Sequence, residues 1–278
     1  MVRGVRPFLE QRRVVALRQC PTTCKPIVIK PGFASLSRRV MGQTITSVRR
    51  VAKRVVMVFQ DASVLAIEPR MTGLMLLADP PDPEHLRLEW CLEDDSGARH
   101  SVWFWDRRGL GTVSHCSAEE FDRLLNSGRI GVDALIAELA DWERLSRTER
   151  PIKVAMLDQR KIAGIGNLYA SEILHLARIH PERASSTLSG AQLQAIRAAT
   201  QQVLNEAIAY EGSTLSDGTY RNALNRSGGY QNAHRVYDRA DELCLSCGKG
   251  QVVRIVQAQR SSFFCPVCQK PGRRRPTK

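Results

Sequence analysis

Cys244-Leu-Ser-Cys247, seventeen intervening residues and Cys265-Pro-Val-Cys268 form two C-x2-C knuckles near the end of the chain. Each knuckle is short enough for both sulfurs to reach one ion, and four thiolates satisfy one tetrahedral Zn2+. The stretch between them, residues 248–264, is long enough for a two-stranded hairpin. Val252, Ile255 and Val256 in one arm, and Phe263 and Phe264 in the other, are expected to pack over the metal. The hairpin also carries Arg254 and Arg260. Spacing alone leaves two uses open: a clasp that stabilises the C-terminus, or a device that holds arginines against nucleic acid.

The rest of the chain favours the second use. Over 278 residues the formal net charge is +13 and the pI is near 9.8, an excess that suits a polyanion. The tail Lys270-Pro-Gly-Arg-Arg-Arg-Pro-Thr-Lys278 adds non-specific attraction to phosphate. No apolar run approaches the ~20 residues needed to span a bilayer, and the basic N-terminus lacks the apolar stretch of a signal peptide. These features speak against a membrane partner. Of the remaining cysteines, Cys20, Cys24, Cys91 and Cys116, the first two form a weak C-x3-C spacing. They could pair or remain thiols; a reducing cytoplasm favours thiols.

Residues 1–130 read mainly as β structure. Thr44–Val48, Val55–Phe59 and Val64–Ile67 are short apolar runs bounded by turn residues, Leu86–Leu92 alternates apolar and polar, and Ser101–Trp105 continues the theme. Strands at this spacing predict a sandwich or barrel. After Gly131 the periodicity becomes helical: 133–150, 151–158, Leu168–Ala177 and Gly190–Tyr210, the last with Leu193, Ile196, Ala199, Val203 and Ala207 on one face. The predicted class is α+β, divided into 1–130, a helical 131–238, a zinc ribbon at 239–270 and a basic tail at 271–278.

Two turns carry chemistry. Gly164-Ile-Gly166-Asn167 precedes a helix whose first N–H groups suit a phosphate, and Lys153 could add charge there. Asp106-Arg-Arg-Gly-Leu-Gly111 places Arg108 and Leu110 two apart, so on a strand-like tip both would project the same way. An arginine beside an apolar wedge can fill a hole in a base stack; Met71 in Arg70-Met-Thr-Gly73 is a second wedge. On these residues alone, a surface turn with a half-buried leucine and a core methionine is the favoured alternative.

The run Leu157-Asp-Gln…Ala163-Gly-Ile-Gly-Asn-Leu-Tyr-Ala-Ser-Glu172…Ile179-His-Pro-Glu-Arg183 resembles the helix–two-turn–helix of the formamidopyrimidine-DNA glycosylase family. Glu211-Gly-Ser-Thr-Leu215, Val236-Tyr-Asp-Arg239 and Gln259–Gln269 are similar to that family too, and Val48–Lys53, Arg70–Gly73 and Asp106–Gly111 fall in its order. The resemblance covers essentially the whole chain. It implies a β-sandwich followed by a helix–two-turn–helix domain and a zinc ribbon, acting as a monomer on double-stranded damaged DNA at the nucleoid in the bacterial cytoplasm. The implied activity is excision of oxidised purines after base flipping, then strand cleavage by β,δ-elimination. By resemblance, Met71, Arg108 and Leu110 fill the void left by the flipped nucleotide, although the family usually has phenylalanine at the position of Leu110. Lys53 meets the phosphodiester near the lesion and assists elimination. Lys153, Asn167 and Arg260 grip the backbone, with Arg260, the family's proposed proton donor for the δ-step, better suited to phosphate because its planar guanidinium binds phosphate oxygens bidentately and holds its protons. His85 matches a DNA-contacting histidine, and the four cysteines hold zinc.

The family nucleophile is an N-terminal proline followed by glutamate. Here the chain begins Met1-Val-Arg-Gly-Val-Arg-Pro7, which resembles the segment following those residues. The expectation is a start set at an internal methionine, with Pro-Glu ahead of it. Two alternatives are a DNA-binding relic without base excision, and a sister enzyme of the endonuclease VIII type acting on oxidised pyrimidines.

Overall fold

A computed structural model describes residues 1–271; the basic tail, apart from Pro271, lies outside them. The chain divides into two compact units, Met1–Leu124 with Tyr210–Gln231, and Leu125–Ala209 with the residues from Asn232 onward.

The first unit contains α1 (Val2–Leu9), β1 (Arg12–Gln19), β2 (Val28–Lys30), α2 (Phe33–Val40), β3 (Thr44–Val51), β4 (Arg54–Phe59), β5 (Val64–Glu68), β6 (Gly73–Leu76), β7 (Leu86–Glu93), β8 (Arg99–Asp106), β9 (Thr112–Cys116) and the start of α3 (Ala118–Asn126). Nine strands join in the order β2-β9-β5-β4-β3-β1-β7-β8-β6. Strands β4 and β5 make no ladder with β7 and β8. Yet Met57 and Leu65 share one buried cluster with Trp90 and Phe104, so the sheet must fold over on itself to enclose them. Register shifts at Val14/Ala16, Ile45/Ser47 and Leu86/Leu88 mark bulges, which bend strands and increase twist. Alternation in β7 puts Leu88, Trp90 and Leu92 fully inside. Residues Tyr210–Gln231 belong here because Ala223 enters the same core and accepts the Leu77 N–H. Short helices α1, α2 and α3 lie within the region read as mainly β; α1 covers the core with Val5 and Leu9, two positions four apart on one helical face.

The second unit contains β10 (Val132–Asp133), α4 (Leu139–Leu145), α5 (Ile152–Met156), β11 (Ile162–Ala163), α6 (Asn167–Leu176), α7 (Gly190–Ala209), β12 (Val253–Gln257) and β13 (Arg260–Phe264). The continuous helix expected over 133–150 is not formed. Val132 and Asp133 pair in parallel with Ile162 and Ala163, and α4 begins only where Glu138 and Asp141 make a reciprocal capping box. Helix α7 buries the expected stripe of Leu193, Ile196, Ala199, Val203 and Ala207, joined by Thr200. Among the described residues no helix is long and apolar enough to cross a membrane.

The link from α5 to α6 makes two turns held by one side chain. The Gln159 amide nitrogen donates to the carbonyls of Leu157 and Ile165, both at 3.0 Å, and its oxygen accepts the Gly164 N–H at 3.0 Å. Gly164 has φ +110°, a conformation that side chains rarely adopt.

Candidate functional site

In the first unit a buried aspartate organises the turn that carries Arg108 and Leu110. Asp106, with no exposed surface, accepts the Thr72 hydroxyl at 2.5 Å on Oδ1 and the Gly111 N–H at 2.7 Å on Oδ2. The Thr72 oxygen in turn accepts the Arg108 N–H at 3.1 Å. The segment with Met71 and the turn with Arg108 are thereby tied together. Arg87, 2% exposed, grips the Asp106 carbonyl from behind with Nε at 3.0 Å and Nη2 at 2.7 Å. Residues 107–110 form a turn, not a strand tip, and Gly109 between Arg108 and Leu110 has φ +58°. Strand alternation therefore does not govern where those two side chains point. Arg108 is exposed and Leu110 half-buried. Met71, expected as either wedge or core, is 73% exposed, a large apolar side chain held out at a fixed turn.

Lys53 occupies the tight turn between β3 and β4, exposed, beside Ala52 with φ +54°. The start of β4 is anchored by Arg54 to Glu68 at 2.8 Å, and Glu68 also pairs with Arg70 at 3.1 Å. These two ion pairs run from the Lys53 turn to the Met71 segment. His85 is half-buried, its Nδ1 2.6 Å from Asp82 Oδ1 and its ring edge-on to Trp105.

In the second unit Lys153, Asn167 and Arg260 converge. Lys153 is 1% exposed, and its ammonium donates to Asn167 Oδ1 at 2.8 Å, the Ser261 carbonyl at 2.7 Å and Ser262 Oγ at 2.7 Å. Those are all three of its donors. Asn167 Nδ2 donates to the same Ser261 carbonyl at 2.9 Å. Burial, and then the neighbouring Arg260 charge, push the Lys153 pKa down to about 8. Arg260 itself is exposed at the start of β13, after Ala258 and Gln259, both with positive φ. Two non-glycine residues in that region cost roughly 1–2 kcal/mol each, a strain that this turn retains while presenting Arg260.

Ribbon β12–β13 carries the cysteines expected as metal ligands, and the Sγ atoms of Cys244, Cys247, Cys265 and Cys268 all lie within 4.8 Å of one another. Cys244–Cys268 is 3.9 Å and Cys247–Cys265 is 3.8 Å. A tetrahedron with sulfurs about 2.3 Å from its centre has edges of about 3.8 Å, so the four sulfurs fit one metal ion. Val252 and Phe263 are buried beside them as expected, Phe264 is buried against the His180 ring instead, and Ile255 is half-buried. Val256 departs from expectation: it is 66% exposed, because strand alternation puts it on the face of β12 opposite Ile255 and the buried Gln257.

The sequence reading did not assign roles to the residues that hold these groups in place. Glu172, fully buried, accepts the N–H groups of Arg235, Val236 and Tyr237 at 2.8, 2.9 and 2.8 Å. Gln269, fully buried, accepts the Cys265 N–H at 3.0 Å and donates to the Ile179 carbonyl at 2.9 Å. His175 bridges Gln269 Oε1 and Ser246 Oγ, at 3.0 and 2.9 Å. Polar residues on the otherwise apolar α6, and the resemblance motifs that contain Glu172 and Gln269, are the traces these contacts leave in the sequence.

Residues 1–113 match the formamidopyrimidine-DNA glycosylase N-terminal domain, and residues 130–219 match the formamidopyrimidine-DNA glycosylase H2TH domain. A formamidopyrimidine-DNA glycosylase of Chloroflexus aurantiacus is 35% identical over 272 residues, covering 97% of this chain and 94% of the relative. The chain belongs to the formamidopyrimidine-DNA glycosylase family. Its counterpart in Chloroflexus aggregans is 38% identical over 272 residues, covering 97% and 95%. Among solved structures, a complex of Lactococcus lactis Fpg with DNA containing an abasic site superposes with TM-score 0.83 at 29% identity, covering 97% of this chain and 98% of that one. The wild-type Lactococcus lactis enzyme with DNA containing N7-benzyl-Fapy-dG gives TM-score 0.84 at 28% identity, covering 97% and 96%. Family membership agrees with the α+β class, and it places the cysteine ribbon in a DNA glycosylase setting.

Proposed function

We propose that this chain binds damaged double-stranded DNA as a monomer and serves base-excision repair, flipping out and removing oxidised purines and nicking the strand by β,δ-elimination. The observation that carries this reading is the pair of tied turns in the first unit: an exposed methionine and an exposed arginine fixed by one buried aspartate. Chemistry at the sugar carbon requires the nucleotide to leave the stack. Met71, Leu110 and Arg108 supply two apolar groups and a cation to occupy the space it vacates. Lys53 serves the phosphodiester near the lesion, and His85 touches the backbone. Arg260 is the direct phosphate clamp. Lys153, with its three donors engaged, supplies charge and holds Asn167 and the hairpin in register. Zn2+ is the ion for the four thiolates, and its chemistry is structural: a closed set of four cysteines leaves no open position. The working division is that expected from the sequence, at 131, 239 and 271, in a cytoplasmic protein at the nucleoid.

The family resemblance implies a proline amine followed by glutamate as the nucleophile, so the assay compares two polypeptides, with and without that dipeptide added in front. A chain carrying Pro-Glu in front should excise 8-oxoguanine and leave β,δ-elimination ends, with thymine glycol a poorer substrate. A chain starting at Met1 should bind the same duplex and release little base. Robust excision by the polypeptide starting at Met1, or a preference for thymine glycol, would sink this assignment.

Lys153 gives the site a pH dependence. Its pKa of about 8 leaves it protonated below that pH, and an arriving phosphate favours the protonated form. Affinity should therefore hold steady up to pH ~8 and fall as pH rises through the free-protein pKa. Lys153→Met should flatten that profile and reduce the salt slope of binding by about one. Fluorescence anisotropy on an abasic-site duplex reads both.

A further inference from the structure

We propose that Cys24, Glu84 and His85 form a second metal site, open and exchangeable, for a divalent ion of the zinc class in the DNA-free protein, the ion giving up His85 when DNA arrives. One ligand atom from each lies within 4.8 Å of the other two, and the cluster is separate from the cysteine ribbon, since all three residues belong to the first unit. A thiolate, an imidazole and a carboxylate form the mixed S, N, O set that borderline ions accept, and three protein ligands leave a fourth position for water.

The surroundings prepare these groups. Asp82 Oδ1 sits 2.6 Å from His85 Nδ1 and also accepts the His85 N–H at 3.0 Å. A carboxylate on one ring nitrogen orients the ring and raises the basicity of the other, as partners of metal-binding histidines do. Asp79-Pro-Pro-Asp-Pro-Glu84-His85 carries three prolines, whose fixed φ reduces the freedom that ligation would otherwise cost. It also concentrates three carboxylates in a chain of net charge +13. The thiol side is held equally firmly: Thr22 Oγ1 accepts the Cys24 N–H at 3.0 Å, donates to the Glu84 carbonyl at 2.8 Å and accepts Arg87 Nη1 at 3.0 Å.

The Cys24 thiol rests 3.2 Å from Glu84 Oε1 and donates its proton there. Metal binding replaces that proton: the sulfur bonds the ion and one proton leaves to solvent, with no change of oxidation state. The site has a mechanical consequence. Arg87 joins Thr22 to the Asp106 carbonyl, and a Cβ at Gly109 would fall 2.1 Å from the Lys25 carbonyl. An ion that bonds Cys24 to Glu84 and His85 therefore fastens the segment lying directly against the turn of Arg108 and Leu110.

The test uses the full chain, equilibrated with Zn2+ at buffered free concentrations and analysed for bound metal, with Cys24 reactivity toward a maleimide mapped by mass. Wild type should hold one tight equivalent and a second that washes out with a weak chelator, and Cys24 labelling should slow about tenfold as the second equivalent binds. Cys24→Ser and Glu84→Gln should keep the tight equivalent, the melting temperature and zinc-free DNA binding, and lose the second. One equivalent only in wild type, or a second that survives both substitutions, overturns the proposal. Unchanged Cys24 labelling on zinc addition does the same, independently of how the variants fold.

Discussion

Cys244→Ser should cost the protein its ribbon metal and, with it, roughly a hundredfold in affinity for an abasic-site duplex. The buried cluster beside the four cysteines is small: Val236, Cys244, Val252, Phe263 and Cys265. A core of that size does not hold a hairpin unaided, whereas a structural zinc contributes an apparent 10–16 kcal/mol in finger peptides, or about that order here. The hairpin presents Arg260, and its Ser261 carbonyl and Ser262 hydroxyl fix the Lys153 ammonium. Losing the ribbon thus disturbs two charged groups at once. At about 1.5–3 kcal/mol for each hydrogen bond to a charged partner, the combined loss exceeds ~2.7 kcal/mol, which is about a hundredfold. Chelation of wild type should reproduce the effect, and zinc restore it. Full affinity in a metal-free protein would show that the ribbon does not face the DNA.

The second large effect is expected at Glu172, a residue with no assigned role at the DNA. Glu172→Ala removes a fully buried carboxylate that accepts three consecutive backbone N–H groups, those of Arg235, Val236 and Tyr237. Each buried donor left without its acceptor costs about 1–3 kcal/mol. Loss of a buried charged partner typically totals about 3–5 kcal/mol. Urea unfolding should place the destabilisation in that range. Glu172→Gln should be milder, since it keeps one acceptor oxygen. The physical role is to fix the chain entering the ribbon onto α6, so weaker zinc retention should accompany the lost stability. A change under about 1 kcal/mol would mean that the three N–H groups find other partners.

Much of this protein is legible in one dimension. The two C-x2-C knuckles announced their own cluster, because two residues between cysteines already bring the sulfurs close enough to share one ion. Alternation at Leu88, Trp90 and Leu92 and the 3.6-residue stripe along α7 were readable for the same reason, since local backbone geometry decides which face a side chain takes. Short-range signals also failed where partners are remote. The helix expected over 133–150 yielded to a pairing between Val132 and Ile162, thirty residues apart, and Val256 turned outward with its strand.

What only the tertiary structure decided is how exposed and how constrained each candidate residue is. Met71 could have been core or wedge from its sequence; a left-handed Arg70 and the Thr72–Asp106 hydrogen bond turned it into solvent. Lys153 was expected to add charge at a phosphate; the fold buries it and spends its donors on Asn167, Ser261 and Ser262. Glu172, Gln269 and Cys24 meet Arg235, His175 and Glu84 across 60 to 94 residues of chain, so no short spacing announces those contacts. Chain proximity fixes metal knuckles and periodic faces; the free energy of a buried charge depends on groups that only the folded chain brings within reach.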